Sequence, residues 1–254
     1  MRAPRRLRHG QETELVEHLD ELRSRILVAG AAVLAGSVAG YAFHHRIVRL
    51  LERPLPAGHR HLLTLGVTEP FTTSLKVSIV AGLVLALPIV VWQLWAFVAP
   101  AFDDAVARGA RLLSVLVAGL AVAGVAFGYR VALPGALRFL VHYDQSLYNV
   151  QLRAADYISF AVLVLAACAA VFELPVVVLG LVRVRALSSR KLRRNRRLGY
   201  LIVAAVAVAL PGVDPVTTTL EALPLMALFE ASIWLSVVCE RRWFPESARV
   251  TSTA

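Results

Sequence analysis

Cysteine is scarce in this chain, charge is scarce, and nothing along its length repeats. Two cysteines in 254 residues, Cys168 inside one apolar run and Cys239 at the end of another, form no disulfide framework and read as unpaired thiols. The seven histidines show no ligand spacing, so no metal centre is expected. No nucleotide- or nucleic-acid-binding motif occurs, and no cofactor is implied. The missing internal repeat speaks against the inverted halves common in secondary transporters. Charged residues make up only 17 % of the chain, whereas 58 % are hydrophobic and the mean hydropathy is +0.66. That balance belongs to a membrane protein. The net charge of +10 would suggest nucleic acid in a soluble domain. Here the basic residues sit between apolar runs, where topology and anionic lipid account for them. With no break in composition, residues 1–254 read as one helical membrane domain.

Six apolar segments are candidate spans: 26–43, 77–100, 112–129, 157–182, 198–211 and 218–238. About 20 helical residues are needed to cross a bilayer core. The fifth segment, Leu198 to Leu210 before Pro211, reaches only about 20–25 Å at a rise of ~1.5 Å per residue. Bilayer thinning or packing beside longer neighbours accommodates such a span. The alternative, a re-entrant hairpin made from the last two segments, is the weaker reading. In a six-span arrangement 19 of the 27 Lys and Arg residues fall on one side, among them Arg5, Arg6, Arg108, Arg111 and the run from Arg183 to Arg197. The positive-inside rule then makes both termini cytoplasmic, with 1–25 as an N-terminal segment and 239–254 as a tail. An odd number of spans breaks that agreement. A cleaved signal peptide is disfavoured, because acids interrupt the N-terminal charges and the 18-residue apolar run exceeds a signal core. The long outer connections 44–76 and 130–156 are expected to carry short helices. In the first of them Thr68-Glu69-Pro70-Phe71 reads as a helix start.

An acidic knot precedes the first span. Leu15, Leu19, Leu22 and Ile26 recur at helical spacing over 14–26, while Glu14, Glu17 and Glu21 follow one another on another face. Like charges so placed repel by a few tenths of a kcal/mol each. Two explanations stand open: Arg25, four residues after Glu21, neutralises the face, or the surplus acid awaits a cationic partner. An arginine suits the second role, because its planar fork meets a carboxylate bidentately.

The segment His18-Leu19-Asp20-Glu21-Leu22-Arg23 resembles the signature of the TatC family, the core subunits of the twin-arginine protein translocase. The likeness continues, in order, through Pro54, Glu69-Pro70-Phe71, Trp92-Gln93-Leu94-Trp95-Ala96-Phe97, Phe172-Glu173-Leu174-Pro175, Asp214, Pro224 and Phe229-Glu230. The resemblance implies a receptor without covalent chemistry, in the cytoplasmic (inner) membrane, that exports folded proteins on the proton-motive force. Signal peptides with paired arginines would bind at His18, Glu21, Arg23 and Phe97. The family's second glutamate falls on Val106 here, and Asp103 or Asp104, two or three residues earlier, stands in for it; the bland alternative is that both cap a helix. Contacts to TatA- and TatB-type single-span subunits are implied at Pro54, Glu69, Phe71, Glu173, Asp214, Thr218 and Glu230, together with self-association. An acid deep in a span costs several kcal/mol unless paired, hydrated or neutral. Glu173 is therefore expected to face a polar cavity or a partner, or else to be satisfied by a neighbouring hydroxyl or by Gln93. Thr218 replaces the family's glutamine, and Glu221 is peculiar to this chain. The rival readings are a proton-coupled small-molecule transporter using Glu173 and Glu230, and a membrane scaffold.

Overall fold

The computed structural model describes residues 13–56, 62–98, 105–143, 151–183, 186–210 and 214–243, with the side chains at 13–18, 98, 105–114 and 241–243 left aside. The described architecture is all helical: α1 (Thr13–Ala42), α2 (His44–Glu52), α3 (Glu69–Val98), α4 (Ala105–Phe127), α5 (Leu133–His142), α6 (Ala154–Phe172), α7 (Leu174–Arg183), α8 (Ser189–Arg194), α9 (Arg196–Ala209) and α10 (Pro215–Trp243). Among the described residues five stretches are long and apolar enough to cross a membrane: Leu19–Ala42, Glu69–Phe97, Val115–His142, Ala154–Arg183 and Pro215–Glu240. Helix α9, on the expected fifth span, has 14 residues and a length of about 21 Å.

The helices run past the apolar segments that announce them. The amphipathic segment and the first span are one helix, α1, of 30 residues. Helix α3 begins at Glu69, eight residues before its apolar run, because its polar first turns face inward: Glu69, Thr73 and Ser78 are all buried. The connection 130–156 is mostly helix as well. α4 passes through a π-helical turn, Gly128–Ala132, into α5. Pro134 has no N–H to offer the carbonyl of Arg130, and the wider turn absorbs that loss. The fourth span breaks into α6 and α7 at Glu173, where Pro175 likewise leaves the carbonyl of Val171 without its helical donor.

In lipid, apolar helices gain little by hiding from their surroundings, so close backbone approach decides which of them associate. α1 packs chiefly on α3. Gly36 and Gly40, four apart on α1, meet Ser78 and Gly82, four apart on α3. A methyl group at Gly82 would lie 2.3 Å from the Ser37 backbone nitrogen. One at Gly36 would lie 2.8 Å from the Gly82 carbonyl oxygen. Gly124 makes the same kind of approach to the Cys168 carbonyl on α6.

The expected roof is present at the end where α3 begins. α2 buries Leu51, which joins Leu55, Val77, Leu133, Leu137 and Tyr157 in one core. The hydroxyls of Tyr129 and Tyr157 donate to the carbonyls of Leu50 and Leu51. Beside them the strand-like pairing of Leu63 with Arg153 closes two loops, with Leu63 N–H donating to Leu152 and Ala154 N–H to Leu63.

Candidate functional site

Three groups of polar residues stand out against the apolar frame. The first is the acidic end of α1. Glu21 lies four residues before Arg25, and one of its oxygens, Oε1, accepts from both Nε (3.1 Å) and Nη2 (2.5 Å) of that arginine. The neutralising explanation thus describes the resting geometry, while the Glu21 side chain stays about one-third exposed. Arg25 also donates to Gln93 on α3 at 3.4 Å. Phe97 follows Gln93 by one helical turn and is half-buried on the same side of α3, level with Glu21 because the two helices run in opposite directions. Arg23 is exposed beside them. His18 lies in α1, but its side chain is outside the described residues, as are Asp103 and Asp104 altogether.

The second group is the inward face of α10. Asp214, Thr217, Glu221, Leu225, Phe229, Ser232 and Ser236 are all buried along it. Asp214 caps the helix: Oδ1 accepts the Thr217 N–H at 2.7 Å and Oδ2 the Thr217 hydroxyl at 2.5 Å, with Pro215 in the first turn. Glu221, one turn beyond Thr217, is 2 % exposed, and among the described residues neither of its oxygens has a hydrogen-bond partner. Glu173, at the α6–α7 break, is 3 % exposed and equally unpartnered. The expectation that a hydroxyl or Gln93 satisfies Glu173 is therefore corrected: Gln93 serves Arg25 instead. Glu230 is engaged, accepting from the Tyr200 hydroxyl and pairing with Arg196 at 3.5 Å. Neither Tyr200 nor Thr217 stood out in the sequence, since a lone tyrosine or threonine in an apolar run gives no signal. Thr218 has interactions of its own.

The third group centres on Glu69, which is 5 % exposed. Oε2 accepts from the N–H groups of Leu65 (3.0 Å) and Gly66 (3.2 Å), and Oε1 from Arg153 Nε and Ala155 N–H, both at 3.1 Å. One carboxylate thus sews the loop before α3 to the start of α6. Pro54 is half-buried nearby, whereas Phe71 is exposed in the first turn of α3.

These groups, strung along one bundle, are matched by a family of known proteins. The family model described as Sec-independent protein translocase protein (TatC) covers residues 17–224, which takes in Glu21, the Gln93 face and the buried Glu69, Glu173 and Glu221. The chain belongs to the TatC family. A TatC from Carboxydothermus hydrogenoformans is 36 % identical over 87 % of this chain and 92 % of its own length. TatCd of Bacillus subtilis is 31 % identical over 94 % and 98 %. A crystal structure of the twin-arginine translocase receptor TatC superposes with a TM-score of 0.76 at 30 % identity, covering 86 % of this chain and 99 % of that one. As a TatC-family member the chain is a membrane-embedded, multi-span component of the Sec-independent protein translocase, and the family is not one of enzymes. That membership sets aside the small-molecule transporter and the scaffold.

Within this TatC-family frame the unpartnered carboxyls are a cost. Whatever its protonation, a buried carboxyl without partners gives up hydrogen bonds that water supplied. Glu221→Leu, which keeps the volume and removes the polar group, is expected to stabilise the protein by about 1–3 kcal/mol. The midpoint of unfolding in detergent reads this directly. A lowered midpoint would show that the carboxyl is already well satisfied.

Proposed function

We propose that this chain is the receptor of its translocase, gripping the paired arginines of a signal peptide at Glu21. In this reading it crosses the cytoplasmic (inner) membrane six times, with α9 as the short fifth crossing and both termini cytoplasmic. The clustering of Lys and Arg on one side supports that orientation. The observation that carries the binding site is the clasp on Arg25: Glu21 already holds a guanidinium side-on, at the outer edge of the α1–α3 seam. An incoming arginine finds a carboxylate set for its fork, with Arg25 able to fall back on Gln93. Phe97 borders the apolar part of the signal, and His18 and Arg23 flank it. Asp103 or Asp104 supplies the second carboxylate in place of Val106.

Assembly with TatA- and TatB-type single-span subunits, and with further copies of the chain, uses the remaining candidates in different ways. Phe71 is exposed and ready for contact, with Pro54 at the edge of the same end. Glu173 offers unsatisfied oxygens once α7 and α10 part, and Asp214, Thr218 and Glu230 add polar groups at the start of α10 and along it. Glu69 acts from behind, by fastening the first turn of α3, which carries Phe71, to the loop before it. Export of folded cargo is driven by the proton-motive force.

The test is binding of a twin-arginine precursor to the detergent-solubilised chain. Loss of one charge-assisted contact is worth about 1.5–3 kcal/mol, so Glu21→Gln is expected to weaken binding about 10- to 150-fold. A lysine-lysine precursor should bind the native chain less well, since an ammonium lacks the planar fork. Equal binding of the two precursors, or an unaffected Glu21→Gln variant, sinks the reading. Undiminished binding in a chain carrying Asp103→Asn and Asp104→Asn sinks only the second carboxylate.

A further inference from the structure

The basic turn between α7 and α9 has more structure than a topological signal needs. Arg190, Lys191, Arg193 and Arg194 project from α8, and Arg197 from the first turn of α9; all five are exposed. Among the described residues none of the five forms an ion pair. The two acids that reach this end of α10 are already committed. Glu240 accepts the Ser189 N–H at 2.9 Å, and Glu230 takes Arg196 and Tyr200. α8 is nevertheless fixed in place: Ser188 caps it through the Lys191 N–H, Ser189 is tied to Glu240, and Leu192 packs into the Val203–Phe229 core. A short helix is thus tied in place while presenting positive charge that no described acid pairs.

The surface continues without a break into an apolar wall. Leu198, Leu201 and Ile202 share one side of α9 with Arg197, at spacings of one, four and five residues, and all three are exposed. With α9 as the short fifth crossing proposed above, cations at its end over open apolar surface complement one class of molecule: a phosphate headgroup above, acyl chains beneath.

We propose that α8 and the first two turns of α9 form a binding site for an anionic phospholipid of the surrounding bilayer. The arginines clasp the headgroup phosphate, and the Leu198–Ile202 face lines the acyl chains. An acidic segment of a partner protein would match the charges but leaves the apolar wall unused. The site is separate from the signal-peptide site proposed above, and it stands or falls independently of it.

Native mass spectrometry of the full chain, titrated with phosphatidylglycerol or phosphatidylcholine in detergent, tests this. Retention of phosphatidylglycerol is expected to exceed that of phosphatidylcholine by at least tenfold. A variant carrying Arg190→Gln, Arg193→Gln, Arg194→Gln and Arg197→Gln should lose that preference. A control carrying Arg46→Gln and Arg49→Gln, on α2 at the opposite end, should keep it. Leu201→Ser with Ile202→Ser should shorten the residence of the lipid while the charge preference remains. The proposal is overturned if the two lipids are retained equally, or if the α2 control falls as far as the α8 variant. It is also overturned if an acidic peptide displaces no lipid yet binds in the same arginine-dependent way.

Discussion

Glu69→Ala is expected to lower the unfolding midpoint and to unfasten the loops at the roof, the broadest disruption foreseen from a single side chain here. Four donors converge on this one carboxylate: the N–H groups of Leu65, Gly66 and Ala155, and the Arg153 guanidinium. An alanine leaves the three backbone donors without their acceptor; Leu65 is exposed and regains water, so the loss falls chiefly on the half-buried Gly66 and Ala155. Arg153 adds little, because its side chain is 43 % exposed and regains its hydration. Glu69→Gln is expected to recover part of the loss. It keeps one acceptor oxygen but points an amide at the remaining donors. Glu69→Asp is too short to bridge both loops. The unfolding midpoint gives the size of the effect. Amide exchange at Leu63 and Ala154 gives its place, since those two N–H groups close the loops that Glu69 ties together. Native protection at both amides in the alanine variant would refute the assignment.

Gly82→Val is expected to be nearly as damaging, by a different route. The first carbon of any side chain at Gly82 meets the Ser37 nitrogen and hydroxyl at 2.3 Å, and a backbone cannot yield as a flexible side chain does. Helices α1 and α3 must therefore separate. Overpacking of this kind costs about 1–3 kcal/mol and sometimes more. The separation also pulls Arg25 from Gln93, so precursor binding should fall together with stability, although Gly82 is far along the seam from Glu21. Gly119→Val on α4 is the matched control, because nothing lies within 4 Å of a methyl group there. Equal midpoints for the two variants would show that the seam is looser than its glycines imply.

The apolar runs locate every long helix, and the spacing of Glu21 and Arg25 is enough to pair them. Thr68-Glu69-Pro70 marks the start of α3, whereas α10 begins at Pro215, three residues before its apolar run. What the sequence conceals is whatever depends on a second element. Nothing local says that Gln93 faces Arg25, since their meeting requires α1 and α3 to pack in one register. The register in turn is written in Gly36, Gly40, Ser78 and Gly82, but small residues four apart do not name their partner. Hydropathy also misplaces helix ends. Thr73 falls in the outer connection by composition, yet it is buried on the inner face of α3. Of the candidate site residues, Glu21 was legible as a charge out of place. Glu69 could be recognised as notable, but its role as a four-donor acceptor depends on a loop 84 residues away.

The ties that close the roof have a mechanical meaning. At that end α2, the loop before α3, the π-helical turn and the start of α6 are fastened across the bundle by Glu69, Tyr129, Tyr157 and the Leu63 pairing. At the opposite end the described bonds join neighbours, α1 to α3 and α8 or α9 to α10. Among the described residues, then, the ties that cross the bundle gather at one end, as ribs gather at the rivet of a hand fan, and strain carried along α3 or α6 meets its anchorage there.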